Sequence, residues 1–243
     1  MSDEMPSPYA AALPPAGWYD DPEAPGNPRW WDGAEWHASQ VPAGSLGRGF
    51  AFVWRTLAGI IVAAMLVALA QVVISVIGLG MVRDEPDMAV RAGAVALMAS
   101  FVSVLLMVVG AVFWCIWQYR IAAATPRASL RRSAGWHAGS WFIPIASLWF
   151  PLQNMRDLWD AHVGPRGRAL LGWWWAAWIL QNVVENVWPD LIDENGYVDS
   201  PGWLNCVGLV ASLCWLSVDL LALAIVRRLS RAALARQAAR IQT

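Results

Sequence analysis

Lysine is absent from the 243-residue chain: all 17 of its basic residues are arginine. A Walker phosphate loop needs that Lys and a preceding strand, so Gly44-Ser-Leu-Gly-Arg-Gly and Gly164-Pro-Arg-Gly do not read as nucleotide cradles. A bias toward GC-rich codons and selection for phosphate-binding guanidinium groups are the two readings of an all-Arg complement. Histidine and cysteine are scarce, three of each. There is no HExxH run and no Cys/His spacing of the zinc kind. Cys115, Cys206 and Cys214 fall in apolar stretches, and Cys206 and Cys214 sit about 12 Å apart along one helix, too far to bridge. Ser140 has no acyl-enzyme elbow around it, and no N-glycosylation sequon occurs. No catalytic, metal or cofactor site is expected, and the chain is expected not to be an enzyme. Charge is also thin, at 14% of residues and a net of −1, which excludes an acidic disordered chain and a nucleic-acid-coating protein.

Apolar side chains fill the gap. Hydrophobic residues make up 58% of the sequence, with 18 Trp and a mean hydropathy of +0.42. That excludes an ordinary soluble enzyme and predicts an all-α polytopic membrane bundle. Four stretches are long enough to cross a hydrocarbon core of about 30 Å: 56–82, 92–119, 169–188 and 203–226. Arg83 and Arg91 flank one connection, and the Pro189–Gly202 connection has no Arg and four acids. The other fourteen Arg beyond the head, from Arg48 to Arg240, fall on the opposite side. Arg concentrates in cytoplasmic loops, so both termini are expected in the cytoplasm of a bacterium, with the spans in its plasma membrane. The acidic, Pro-rich first 17 residues do not form a signal peptide, which leaves the first span as the insertion signal.

The segment 141–163 resists a spanning assignment. Trp141–Leu152 is an apolar run of twelve with Pro144 and Pro151 inside it, which suits a re-entrant or interfacial element. In Gln153–Val163, Met155, Leu158 and Trp159 share one helical face opposite Asn154, Arg156, Asp157 and Asp160, as in a helix lying along the membrane surface. A fifth span here would place Arg156 and Asp157 in lipid.

The net charge hides a split: residues 1–47 carry −6 and residues 48–243 carry +5. The acidic end divides into a Pro-rich arm (1–13), a Trp-rich mini-domain (14–40) and a linker (41–49), ahead of the membrane domain (50–230) and a basic tail (231–243). The mini-domain carries Trp18, Tyr19, Trp30, Trp31 and Trp36 around turn chemistry. Asp32-Gly33 reads as a two-residue type I′ hairpin turn, with Trp30 and Trp31 on opposite faces. So short a unit, without Cys, needs stacked aromatics to hold together. The same aromatics can line a groove for a Pro-rich or extended peptide, and the Pro-rich arm is itself a candidate ligand.

These residues carry a resemblance. Pro15-Ala-Gly-Trp-Tyr-Asp-Asp-Pro, then Arg29-Trp-Trp-Asp-Gly and Trp36, is similar to domain-of-unknown-function family 2510. Trp141-Phe-Ile-Pro-Ile, Pro151, Gln153, Asn154, Met155, Trp159 and Leu171-Gly-Trp-Trp-Trp resemble domain-of-unknown-function family 4328. Both resemblances imply a bacterial, actinobacterial, plasma-membrane protein, and neither implies an activity.

Polar groups inside the spans are costly in lipid and mark candidate sites. Asn182, Glu185 and Asn186, beside Gln181, cluster late in the third span; Gln71 lies in the first and Asp219 in the fourth. Helical rise puts Glu185 and Asp219 roughly 13 Å apart in depth, so they do not form a carboxylate dyad. Glu185 and its Asn neighbours are expected to reach the outer interface or to bond Gln71, and Asp219 to pair with Arg120 or Arg156. An aromatic belt accounts for most of the Trp at 141, 149, 159, 173, 174, 175, 188 and 203, which fall near the expected interfaces. Arg127, Arg131, Arg132, Arg227, Arg228 and Arg231 are candidate contacts for anionic lipid headgroups. The functional expectation is a scaffold or interaction protein whose cytoplasmic head recruits a protein partner. The rival is a small transporter or channel subunit using the polar third and fourth spans, which predicts a homo-oligomer.

Overall fold

A computed structural model describes residues 14–21, 24–37, 45–81, 86–187 and 201–241. The arm 1–13, residues 41–44 of the linker and the whole of the Arg-free connection apart from its last two residues lie outside them. The chain divides into two units, Met1–Gly44 and Ser45–Thr243.

The first unit is built on two antiparallel strands, β1 (Gly17–Asp21) and β2 (Ala24–Trp31). Trp18 pairs with Trp30 and Tyr19 with Arg29, and the register slips between Asp20 and Asp21. Asp32-Gly33 does not form the predicted two-residue turn. A type I′ turn needs positive φ at both central residues, and here only Gly33 (φ +103°) has it. The chain instead reverses over four residues to an isolated bridge between Trp31 and Trp36. Asp32 directs that reversal, accepting the Ala34 and Glu35 amides at 2.8 and 2.7 Å.

The second unit is helical: α1 (Phe50–Met81), α2 (Pro86–Ala124), α3 (Ala134–Gly139), α4 (Phe150–His162), α5 (Ala169–Val187) and α6 (Pro201–Ile241). α2 stops at Thr125-Pro126, where the ring removes the amide that would continue the helix. Three stretches are long and apolar enough to cross a membrane: Phe50–Gly80, Met98–Ala124 and Gly208–Ala239. α5 falls short of that criterion because Gln181, Asn182, Glu185 and Asn186 dilute a helix of only 19 residues.

Two sets of contacts define the ends of the bundle. At one end Leu46 N–H donates to Gln237, Arg120 to the Arg48 carbonyl, and Trp117 to Ser230 at 2.8 Å. That end gathers the start of α1 and the later parts of α2 and α6. At the other end Gln71 reaches Ser100. α4 lies at the first end, with Met155, Leu158 and Trp159 all at 0% exposure, so the apolar face read from the sequence packs into protein. The segment before α4 is a series of short turns, at Ser140–Phe142 and Ala146–Leu148, which leave Phe142 and Ile145 exposed.

Candidate functional site

Around the head's strands, aromatic rings pack on one another. Trp31 and Trp36 sit 5.2 Å apart, and Tyr19 meets Trp36 edge-on at 6.4 Å. Arg29 closes the cluster, donating to the His37 carbonyl at 3.0 Å with its guanidinium over Trp36. Two donors of the cluster leave the strands. The Trp31 indole N–H reaches the Pro14 carbonyl and the Tyr19 hydroxyl the Pro15 carbonyl, each at 2.9 Å. Donation from Trp and Tyr to successive proline carbonyls is how aromatic grooves hold extended, Pro-rich chain. The Asp32 carboxyl is drawn down to about 2 by the Glu35 and Ala34 amides, with a further contribution from its hydrogen bond to His37. The Trp18 side chain lies outside what is described.

At the Arg-rich end of the bundle, α4 is the anchor of a polar network. Asn154, fully buried, accepts from Arg132 at 3.2 Å and donates to the Trp136 carbonyl and Ser140 hydroxyl. Arg132 also donates to Gln153 at 2.7 Å and lies 3.6 Å over the Phe150 ring. Asp157 accepts the Arg131 amide at 3.1 Å and pairs with its guanidinium at 3.4 Å. Arg127 donates to the Leu130 carbonyl. Arg131 and Arg132, read from the sequence as lipid contacts, are thus engaged in holding the α2–α3 connection onto α4. His137 of α3 is buried with neither ring nitrogen bonded. Burial, followed by the charges of Arg132 and Arg127, lowers its pKa to about 4.

The intramembrane polar residues find partners other than the expected ones. Glu185 takes the Trp215 indole N–H of α6 at 2.9 Å and the Gln181 amide at 3.0 Å. Gln71 bonds Ser100, so the predicted Glu185–Gln71 contact does not form. α5 turns Glu185 toward α6, its packing neighbour, and α1 turns Gln71 toward α2. Asn182 and Asn186 donate back to the carbonyls four residues earlier, of Trp178 and Asn182. Asp219 pairs with neither Arg120 nor Arg156, and among the described residues it has no ion pair. Arg120 is committed instead to the Arg48 carbonyl.

The aromatic belt needs a larger correction. Trp114, Trp117, Trp141, Trp174, Trp175 and Trp178 form one continuous cluster with neighbouring centroids 4.7–6.1 Å apart. Trp159, Trp174 and Trp175 are buried, while Trp173 (70% exposed) and Trp149 (45%) keep surface positions. Tryptophan here is chiefly the cement between α2, α5 and the turns before α4. Arg55 was missed by sequence reading. It joins Arg227 and Arg231 in a groove between α1 and α6, and only the antiparallel contact of two helices far apart in sequence brings them together.

Three long apolar helices over a buried polar end are the marks of a multi-pass membrane protein. Residues 83–231 match the family model described as a domain of unknown function, DUF4328, and the chain belongs to that family. Residues 16–47 match a second, described as a protein of unknown function, DUF2510. The first match begins beyond α1, and the second covers both strands of the head. No curated protein and no solved structure matches the chain.

Proposed function

We propose that this chain is a non-enzymatic interaction protein of the bacterial plasma membrane whose cytoplasmic, hairpin-like head engages an extended, proline-containing segment of a protein partner. The observation that carries the reading is the pair of hydrogen bonds from Trp31 and Tyr19 to the Pro14 and Pro15 carbonyls. They place proline backbone against the Trp31–Trp36–Tyr19 cluster, and a partner segment of the same kind takes its place there.

The membrane unit spans four times, with α5 as the additional crossing. Its 19 residues extend about 28 Å, close to the hydrocarbon thickness. Glu185 is bonded by Trp215 of α6 and by Gln181, and Asn182 and Asn186 by carbonyls of their own helix, which lowers their cost in lipid. The cytoplasmic placement of both termini is supported by the joining of α1's start to Gln237 near α6's end, together with the Arg bias of that side.

The test is a crosslinked pull-down of the full chain from detergent extracts, compared with deletion of residues 1–40 and with Trp31→Ala. Partners captured by the full chain are expected to disappear from both variants. Identical protein lists from all three overturn the proposal.

A further inference from the structure

α1 and α6 pack together along their length, and near their Arg-rich ends an open groove of about 550 Å³ lies between them. Arg55, Arg227 and Arg231 line it on one part, beside Trp54, and Ala58, Gly59 and Val62 line the other. We propose that this groove is a binding site for one anionic phospholipid. Its phosphate is held by Arg55, Arg227 and Arg231, and an acyl chain follows Ala58, Gly59 and Val62.

Charge is the first argument. All three guanidinium groups are exposed, and among the described residues none has a carboxylate partner. Among the described residues Arg55 has the Trp54 ring alone, 5.8 Å from its guanidinium carbon. Three like charges converging on one groove repel one another, and an anion between them relieves that repulsion. Guanidinium groups match phosphate oxygens bidentately, which makes phosphate the anion of choice.

Shape is the second. Ala58, Gly59 and Val62 follow Arg55 at three, four and seven residues, so all four share a helix face that extends for about 10 Å. Arg227 and Arg231 are likewise one turn apart on α6. A Cβ built on Gly59 meets nothing within 4 Å, so the apolar part is open where a chain would lie. A free phosphate uses the arginines and leaves that apolar strip empty, whereas a phospholipid fills both.

Position is the third. Arg55 is the last charge before the apolar run of α1, and Arg227 is the first basic residue of α6. Those are the depths at which headgroup phosphates meet a helix leaving the bilayer. The site is independent of the head and of whatever partner the head takes.

Native mass spectrometry of the full chain, delipidated in dodecyl maltoside, tests the site. The protein is offered equimolar phosphatidylglycerol and phosphatidylcholine, and inorganic phosphate in a separate arm. One phosphatidylglycerol per chain is expected, retained at least about tenfold more than phosphatidylcholine, as three arginines near a headgroup imply. The variant R55Q/R227Q/R231Q is expected to retain phosphatidylglycerol no better than phosphatidylcholine, and Arg236→Gln to behave as the parent. Gly59→Leu keeps every arginine and blocks the apolar strip, so it is expected to lower phosphatidylglycerol retention several-fold. Equal retention of the two lipids by the parent overturns the proposal. So does displacement of phosphatidylglycerol by inorganic phosphate, or full retention in a folded triple variant. Should the triple variant not fold, unchanged retention by Gly59→Leu overturns it alone.

Discussion

Replacing His137 by Phe should remove a large part of the acid sensitivity of the membrane unit. The imidazole is fully buried on α3 with neither nitrogen bonded, and its pKa falls from 6.5 to about 4, chiefly through burial. In the unfolded chain it titrates near 6.5, so between these values the unfolded state binds more protons than the folded one. Stability from this group is therefore complete above pH 6.5, declines as the pH falls toward 4, and levels off below that. The full difference corresponds to about 3 kcal/mol, most of which is lost between pH 7.5 and 4.5. For a chain of this size each kcal/mol moves Tm by about 2–4 °C, giving a drop of roughly 5–10 °C. Thermal unfolding of the full chain in detergent micelles at the two pH values measures it, and the Phe variant should show a correspondingly smaller drop. Asp32, lowered from 3.8 to about 2, loses its contribution only below pH 3.8 and leaves this window clear. An equal fall in Tm for both proteins refutes the assignment of the proton to His137.

Three further outcomes concern α4 and the start of α5. Asn154→Ala strands the Ser140 hydroxyl and one N–H of Arg132 and leaves the Trp136 carbonyl with the Ser140 amide alone, which should cost about 2–4 kcal/mol; denaturant or thermal melts should place it well below Arg236→Ala, and similar melts would show that the network is not a source of stability. Gly167→Ala should cost about 1–2 kcal/mol, since Gly167 has φ +75° and its Cβ would lie 3.2 Å from Arg228. Gly172→Ala, in α5 with open space around it, should instead stabilise by about 0.5–1 kcal/mol, and the same melts read the opposite signs.

What the sequence disclosed and what it hid divide along a physical line. The face of α4 was legible because Met155, Leu158 and Trp159 obey a period that only a helix with one buried side satisfies. The long helices were legible because lipid admits little else as an open-ended spanning form. Tertiary pairing left no such local trace. Arg132 and Asn154 lie 22 residues apart, and nothing near Arg132 distinguishes an arginine facing lipid phosphate from one facing an amide. Tryptophan was ambiguous for a related reason: in a membrane protein the core and the lipid are equally apolar, so hydropathy cannot tell Trp174, buried, from Trp173, exposed. In the head, Asp32-Gly33 carried the composition of a two-residue turn. The Asp32 side chain, however, bonded the next two available amides and drew the chain into a longer reversal.

α6 has a mechanical consequence. Its 41 residues make a rod about 62 Å long, twice the hydrocarbon thickness. From Leu209 to Ile241 it contains neither Gly nor Pro, the residues at which helices most often bend. A rod without a hinge cannot absorb displacement locally. A tilt imposed in the bilayer is delivered to Gln237 and, through its bond to Leu46, to the segment leading into α1.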